Sequence, residues 1–368
     1  MIYLDYAANT PVSDEVLNEY VLATKKYIAN PNSSHPIGKE AKEIIDECSK
    51  RVAKYFDTDY ENVIYTSGAS ESNNLVLKGV SEARREYGNK IIISAVEHSS
   101  IVAPCNYLSE HGFDVEIIPL TKEGIVDLEL LKEEIDDKTI LVSICAVDSE
   151  LGTVQPIDEI AKIVHEHENV IFHTDATQAI GKVKLDYHNV DFITFAPHKF
   201  FGINGSGALI NRHNIKITPL IHGGKSTTIY RSGTPVTALV IALDKALSLA
   251  IDNLDTRYEY IKVLNRKLRD EFSLIDAIHV NSPEGSIPNT LNISLINKDT
   301  KMILKNLENE GIYLSTTTAC SLGNSPSKSV LAITGNEELA SNTIRISLSY
   351  LTSKEDIDTF LTIFKKYL

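Results

Sequence analysis

VIFHTDATQ, residues 170–178, and DFITFAPHK, residues 191–199, each read as a short apolar strand followed by a turn. The first turn delivers Asp175 and the second, 24 residues later, Lys199. Neither strand alternates apolar with polar side chains, the signature of a parallel sheet buried on both faces. Working outward, further apolar runs stand at 62–65 (NVIY), 90–94 (KIIIS), 115–118 (VEII), 139–144 (TILVSI) and 207–210 (GALI). Helix-like stretches at 36–56, 72–87, 101–111 and 157–167 lie between them. This alternation predicts an α/β large domain, its mostly parallel mixed sheet flanked by helices. The pattern then changes. Residues 237–272 form an amphipathic stretch without proline or glycine, which predicts one long helix. Strands near 291–295 and 342–348 and helices near 300–309 and 354–367 follow, the content of a smaller α+β domain. The expected division is a large domain over 12–255 and a small one over 1–11 and 256–368.

With 368 residues, two or three domains are expected. Lys and Arg number 36 and Asp and Glu 50, a net charge of −14. That balance argues against a basic face for direct nucleic-acid contact. The four cysteines, Cys48, Cys105, Cys145 and Cys320, include no CxxC pair, so no zinc ribbon or disulfide framework is expected. Few, scattered thiols suit a reducing cytoplasm. The N-terminal MIYLDYAANTPVSDE lacks the basic-then-apolar order of a signal peptide. The most apolar long segment, 238–251, is interrupted by Asp244 and Lys245, so no membrane span is expected. His165 and His167 are two residues apart and face different sides of a helix, so no metal is expected there.

Asp175 stands where ligands of open α/β sheets gather, and there it either holds a cationic heterocycle nitrogen or caps a following helix. Lys199 is either a surface lysine or, in a cleft, an amine able to act as a nucleophile. The GINGSG run at 202–207 does not match a dinucleotide fingerprint. Together, an aspartate and a lysine on successive strand ends match the needs of pyridoxal phosphate: a Schiff-base amine and a carboxylate on the ring nitrogen. Gln178, on the same turn as Asp175, is in reach of the ring hydroxyl. TSGASESNN (66–74) opens a helix and is either a phosphate site or an ordinary N-cap. His98, in AVEHSS (95–100), either stacks on a ring and moves protons or is a loop histidine. Cys320, in STTTACSLGNSP (315–326), is either a nucleophile or an incidental thiol, whereas the other three cysteines read as structural. Arg345, within IRISL (344–348), needs a carboxylate partner, from the protein or from a substrate.

In this order the motifs resemble the cysteine desulfurases of the NifS/IscS type, in the class V aminotransferase group of fold-type I pyridoxal-phosphate enzymes. The resemblance runs through YLDYAA (3–8), NPNSSH (30–35), TSGASESNN, EH (97–98), HTDATQ (173–178), HK (198–199), RSGT (231–234), ACS (319–321) and IRIS (344–347). It implies that Lys199 carries the cofactor and takes the Cα proton, that Asp175 pairs with the ring nitrogen, and that His98 stacks on the ring. It gives Gln178 the ring hydroxyl. Ser70 and His198 hold the phosphate, with Thr234 from the other subunit of a homodimer, and Ala69 also contacts the cofactor. Arg345, Ser149 and Asn32 contact the substrate, L-cysteine. Cys320 accepts its sulfur as a persulfide, alanine leaves, and the sulfur passes to an acceptor protein, an iron–sulfur scaffold or a tRNA-thiolation enzyme. The chain departs from the family at Ser149, where an asparagine is usual, at Ala196, where a serine is common, and in TTTAC for SGSAC. Two alternatives stand beside this one: another class V enzyme, such as an aminotransferase or selenocysteine lyase, and a non-catalytic scaffold that keeps the cofactor for structure.

Overall fold

The computed structural model describes residues 1–316 and 325–368. Its strands are β1 (Ile2–Tyr3), β2 (Val63–Thr66), β3 (Lys90–Ser94), β4 (Asp114–Ile118), β5 (Thr139–Ser143), β6 (Ile171–Asp175), β7 (Phe192–Phe195), β8 (Gly207–Asn211), β9 (Ile278–Val280), β10 (Thr290–Leu295), β11 (Ile312–Tyr313) and β12 (Thr343–Ser347). Seven of them form one sheet in the order β2-β8-β7-β6-β5-β3-β4. Every residue of β3, β5, β6, β7 and β8 is buried, as their unbroken apolar runs require, while the edge strand β4 is partly exposed.

β8 is antiparallel to both its neighbours, and the other pairs are parallel. The link from β7 to β8 contains only the short 3-10 turn Pro197–Lys199, too little to cross over the sheet, so the chain turns back beside β7. Two antiparallel steps restore the direction of β2. Its carboxyl end therefore lies on the same edge as those of β3, β5, β6 and β7. The strand connections diverge between β3, which leads to β4, and β5, which leads to β6 on the other side. That switch point is where open α/β sheets bind ligands.

Residues after Asn253 build a second core. β12, β10 and β9 form an antiparallel sheet covered by the helices Leu254–Phe272, Thr300–Asn309 and Lys354–Tyr367. Leu4 packs there among Leu291, Ile293 and Phe360, and β1 pairs in parallel with β11. The single long helix expected over 237–272 is instead two, Thr237–Asp252 and Leu254–Phe272. Asn253 separates them at φ −103°, ψ 5°, with its amide donating to the Leu249 carbonyl at 2.8 Å. An asparagine competes in this way for backbone groups, and apolar periodicity does not register it. A helix over Asp14–Lys26, capped by Ser13, was not expected and packs against Thr237–Asp252.

Candidate active site

Five strand ends of the large sheet open into one cavity of about 590 Å³, a usual size for a cofactor pocket. Asp175 enters from β6, Lys199 from the turn after β7, His98 from the turn after β3, Ser149 from the segment after β5, and Ala69 and Ser70 from the start of the helix after β2. Gln178, His198 and Arg345 complete the lining among the expected residues.

Asp175 closes its strand without capping a helix, since the residues that follow are turns. Its Oδ1 accepts from the Thr177 backbone N–H at 2.9 Å, and its Oδ2 accepts from Asn73 Nδ2 at 2.8 Å. Asn73 Nδ2 also donates to Ser100 Oγ at 2.8 Å, and Ser100 Oγ lies 2.8 Å from His98 Nδ1. A polar chain thus runs from Asp175 to His98 through two residues that sequence reasoning quoted in motifs but did not single out. His98 is the N-cap of helix Ser99–Glu110, its Nδ1 accepting the Ser100 N–H at 3.1 Å. An accepting Nδ1 places the neutral ring's proton on Nε2. Burial lowers the His98 pKa, with Asp175 opposing and Lys199 reinforcing, so the ring is neutral at pH 7. Below it Glu97 Oε1 accepts from Ser94 Oγ at 2.6 Å and from the Cys145 N–H at 2.8 Å, tying β3 to β5. Burial pushes Glu97 up to about 8, so this strut is protonated and neutral at pH 7.

Lys199 Nζ donates to the carbonyls of Ala7 at 3.0 Å and Ala8 at 2.5 Å. Gln178 Nε2 donates to the same Ala7 carbonyl at 3.0 Å, and its Oε1 accepts from Lys182. The N-terminal segment is therefore part of the site wall. Arg345, on β12, is almost fully buried. Its Nη2 pairs with Asp5 at 2.9 Å, its Nη1 donates to the Ser149 carbonyl at 3.1 Å, and its buried Nε has no partner among the described residues. The carboxylate partner is thus a protein acid, with a further donor to spare.

Gly68 starts the helix Ala69–Ala83 at φ +156° and supplies no side-chain cap, which leaves first-turn N–H groups for an anion. A Cβ on Gly207 would lie 2.6 Å from the Gly68 backbone, so only glycine lets β8 approach this helix start. His198 is pushed down to about 4 by burial, with Lys199 and Lys182 adding to it, and so is neutral. Ala196, where a hydroxyl was absent from the expected motif, is fully buried and does not line the cavity.

Thr234 does not line this cavity. It lines an adjoining one of about 220 Å³ with Arg231, and the two cavities share Ser67 and Gly205. Asn32 is exposed on a turn, its N–H bonded to Asn30 Oδ1, and is not brought to the cavity. Cys320 lies outside the described residues. On one side of its tract Ser315 pairs with Arg345 through the backbone, and Thr343 Oγ1 donates to the Thr316 carbonyl at 2.9 Å. On the other, Ser327 donates to Glu150, and Ser329 donates to Asp148 at 2.9 Å. Cys48, Cys105 and Cys145 are buried, and burial pushes the first two thiols up to about 12 and Cys145 well above the usual range. Among the described residues there is no metal-binding cluster, and no helix is long and apolar enough to cross a membrane.

A carboxylate, an amine, an uncapped helix start and a cavity of this size suit the ring nitrogen, aldehyde and phosphate of pyridoxal phosphate. The class-V aminotransferase family model matches residues 2–360. Cysteine desulfurase IscS of Dictyoglomus turgidum is 38% identical over 372 residues, covering 100% of this chain and 94% of that protein. A NifS-like protein of solved structure aligns with a TM-score of 0.92 at 33% identity, over 99% of this chain and 98% of that one. SspA in complex with cysteine aligns with a TM-score of 0.83 at 31% identity, over 95% and 99%. The chain thus belongs to the class-V aminotransferase family and, within it, to the pyridoxal-phosphate-dependent cysteine desulfurases of the NifS/IscS type.

Proposed function

We propose that this chain converts L-cysteine to L-alanine and takes the sulfur atom onto Cys320 as a persulfide. The observation that carries this reading is that Asp175 and Lys199, from neighbouring strand ends, and Arg345, from the distant β12, line one cavity. The relative solved in complex with cysteine supports the substrate.

When bound, pyridoxal phosphate supplies an electron sink for the carbanion formed at the substrate Cα. Asp175, held by Asn73 and Thr177, pairs with the ring nitrogen, and Gln178 faces the ring hydroxyl. The helix start at Gly68–Ser70, with His198, holds the phosphate, and Thr234 of a second copy completes that site in a homodimer. Arg345 binds the substrate carboxylate beside Ser149, its planar fork suited to two parallel hydrogen bonds. Lys199 Nζ moves the Cα proton, and neutral His98 offers its Nε2 proton inside the cavity. The backbone pairing of Ser315 with the cavity-lining Arg345, and the bonds from Ser327 and Ser329 to Glu150 and Asp148 on either side of the cavity-lining Ser149, support a role for the tract between them, which carries Cys320. The balance is simple: substrate thiol plus Cys320 thiol give alanine plus the Cys320 persulfide. We further assign residues 12–255 to a large domain and 1–11 with 256–368 to a small one. We place the protein in the cytoplasm, and take the acceptor to be an iron–sulfur scaffold or tRNA-thiolation enzyme.

The test is incubation of purified protein with L-cysteine, scored for alanine and protein-bound persulfide together. Equal amounts of both in the first turnover are expected. No alanine refutes the activity, and full sulfur release by Cys320→Ala refutes the role of that thiol.

A further inference from the structure

The turn after Asp175 carries a second buried lysine that the reaction above does not use. Lys182 is 8% exposed and, among the described residues, pairs with no carboxylate. A buried lysine without an acid is costly, so its placement needs a cause. The chain reaches it through Gly181, at φ +73°, where a Cβ would sit 2.8 Å from that of Ala250. Only glycine lets the turn pass that close to helix Thr237–Asp252 and return residue 182 beneath Gln178.

The Lys182 amine donates to Gln178 Oε1. A charged lysine amine has hydrogens to give and no lone pair to accept with, so while it holds its proton it admits only one orientation of the facing amide. Gln178 must then turn its nitrogen away from Lys182, toward the Ala7 carbonyl and the large cavity that Gln178 lines. Only one of the two Nε2 hydrogens has a partner among the described residues. Lys182 also borders, with Lys199, Arg257 and Asn289, a cavity of about 20 Å³ behind Lys199, room for about one water. Among the described residues, the charged groups that act on it or border this cavity, Lys199, Arg345 and Arg257, are all cationic. Burial, with Lys199 and Arg345, pushes its pKa down to about 7.

We propose that Lys182 is a positioning residue that locks the Gln178 amide, so that a donor and not an acceptor faces the ring oxygen of bound pyridoxal phosphate. The inference rests on the function proposed above. A donor stabilises that oxygen most once the neighbouring nitrogen has lost its proton, so it lowers the pH at which the cofactor's visible band changes.

The test compares wild type, K182M, K182R, Q178L and the K182M/Q178L double variant, each full-length and loaded with pyridoxal phosphate. The readouts are the pH midpoint of the visible band and the thermal midpoint of the cofactor-free protein. K182M is expected to raise the band midpoint by about one pH unit, the size of a hydrogen bond to a charged group. K182R is expected to stay near wild type, and K182M to add nothing in the Q178L background. If K182M does not fold, K182A replaces it with the same expected direction. A K182M that lowers only the thermal midpoint overturns the proposal, as does a shift that persists without Gln178. A wild-type chain that shows the band but forms no alanine refutes the desulfurase activity alone, whereas one without a visible band overturns both.

Discussion

Asn73→Asp replaces a buried donor with an acid 2.8 Å from the Asp175 carboxylate. With an effective dielectric of about 20, two unit charges at that distance repel by about 6 kcal/mol. Keeping one carboxyl protonated at pH 7, against an ordinary pKa of about 3.9, costs about 4 kcal/mol. The smaller cost wins, so the variant takes up a proton on folding rather than bury both charges. The carboxyl's folded pKa is then raised above its unfolded value, and the penalty is absent below about pH 4. Above that it grows by about 1.4 kcal/mol per pH unit, to about 4 kcal/mol at pH 7. Asn73→Ala is the control. It loses a charge-assisted bond to Asp175 of about 1.5–3 kcal/mol and a bond to Ser100 of about 1 kcal/mol. It also removes the buried Oδ1, which has no partner among the described residues, and this offsets part of that loss. A net cost of about 1–2 kcal/mol, flat with pH, is expected. The assay is the urea midpoint of the cofactor-free protein at pH 4, 5, 6 and 7, each variant against wild type. An Asn73→Asp curve that runs parallel to wild type across this range refutes the placement of Asn73 against Asp175.

Arg345→Lys keeps a charge for Asp5 but loses the planar fork, so the KM for L-cysteine is expected to rise about tenfold or more, with a smaller effect on kcat. An unchanged KM in steady-state kinetics removes Arg345 from substrate binding. Gly207→Ala places a methyl 2.6 Å from the Gly68 backbone, which must move, so pyridoxal-phosphate affinity by absorbance titration is expected to fall about tenfold. Equal affinity contradicts a phosphate site at that helix start. His165 is bonded to Asp191 at 3.2 Å, and that bond raises its pKa above the unfolded value of about 6.5. Its stabilisation is therefore full below about pH 6.5 and lost as pH rises through the raised value. His165→Gln is expected to cost less than about 1 kcal/mol at pH 5.5, because the ring is partly exposed, and less still at pH 8.5. A gap in urea stability that widens with pH contradicts the pairing.

The runs 90–94, 300–309 and 354–367 coincide with observed elements because their burial is written into local apolar pattern. β1, β9 and β11, of two or three residues each, carry no such pattern and exist through their partners. Asn253 shows the limit in the other direction, since a polar residue that bends a helix leaves the apolar period on either side intact. Within the site, Asp175 and Lys199 were legible because each ends a strand. Asn73 was not, because it acts on Asp175 from 102 positions away. Asp5 was hidden for the same reason, 340 positions from the Arg345 it neutralises.

From the sequence alone, apolar runs without alternation dictated a parallel buried sheet, and the order of motifs identified the family and its cofactor. Those features are local, since a strand's burial and a turn's residues are set within a few positions of each other. Tertiary structure alone decided which side chains hold the catalytic ones: Asn73 and Ser100 between Asp175 and His98, Glu97 between β3 and β5, and Lys182 beneath Gln178. It also decided that the N-terminal Ala7 and Ala8 carbonyls receive Lys199. Such contacts form only when folding removes water and brings distant polar groups into mutual need of partners, a condition that no stretch of sequence carries by itself.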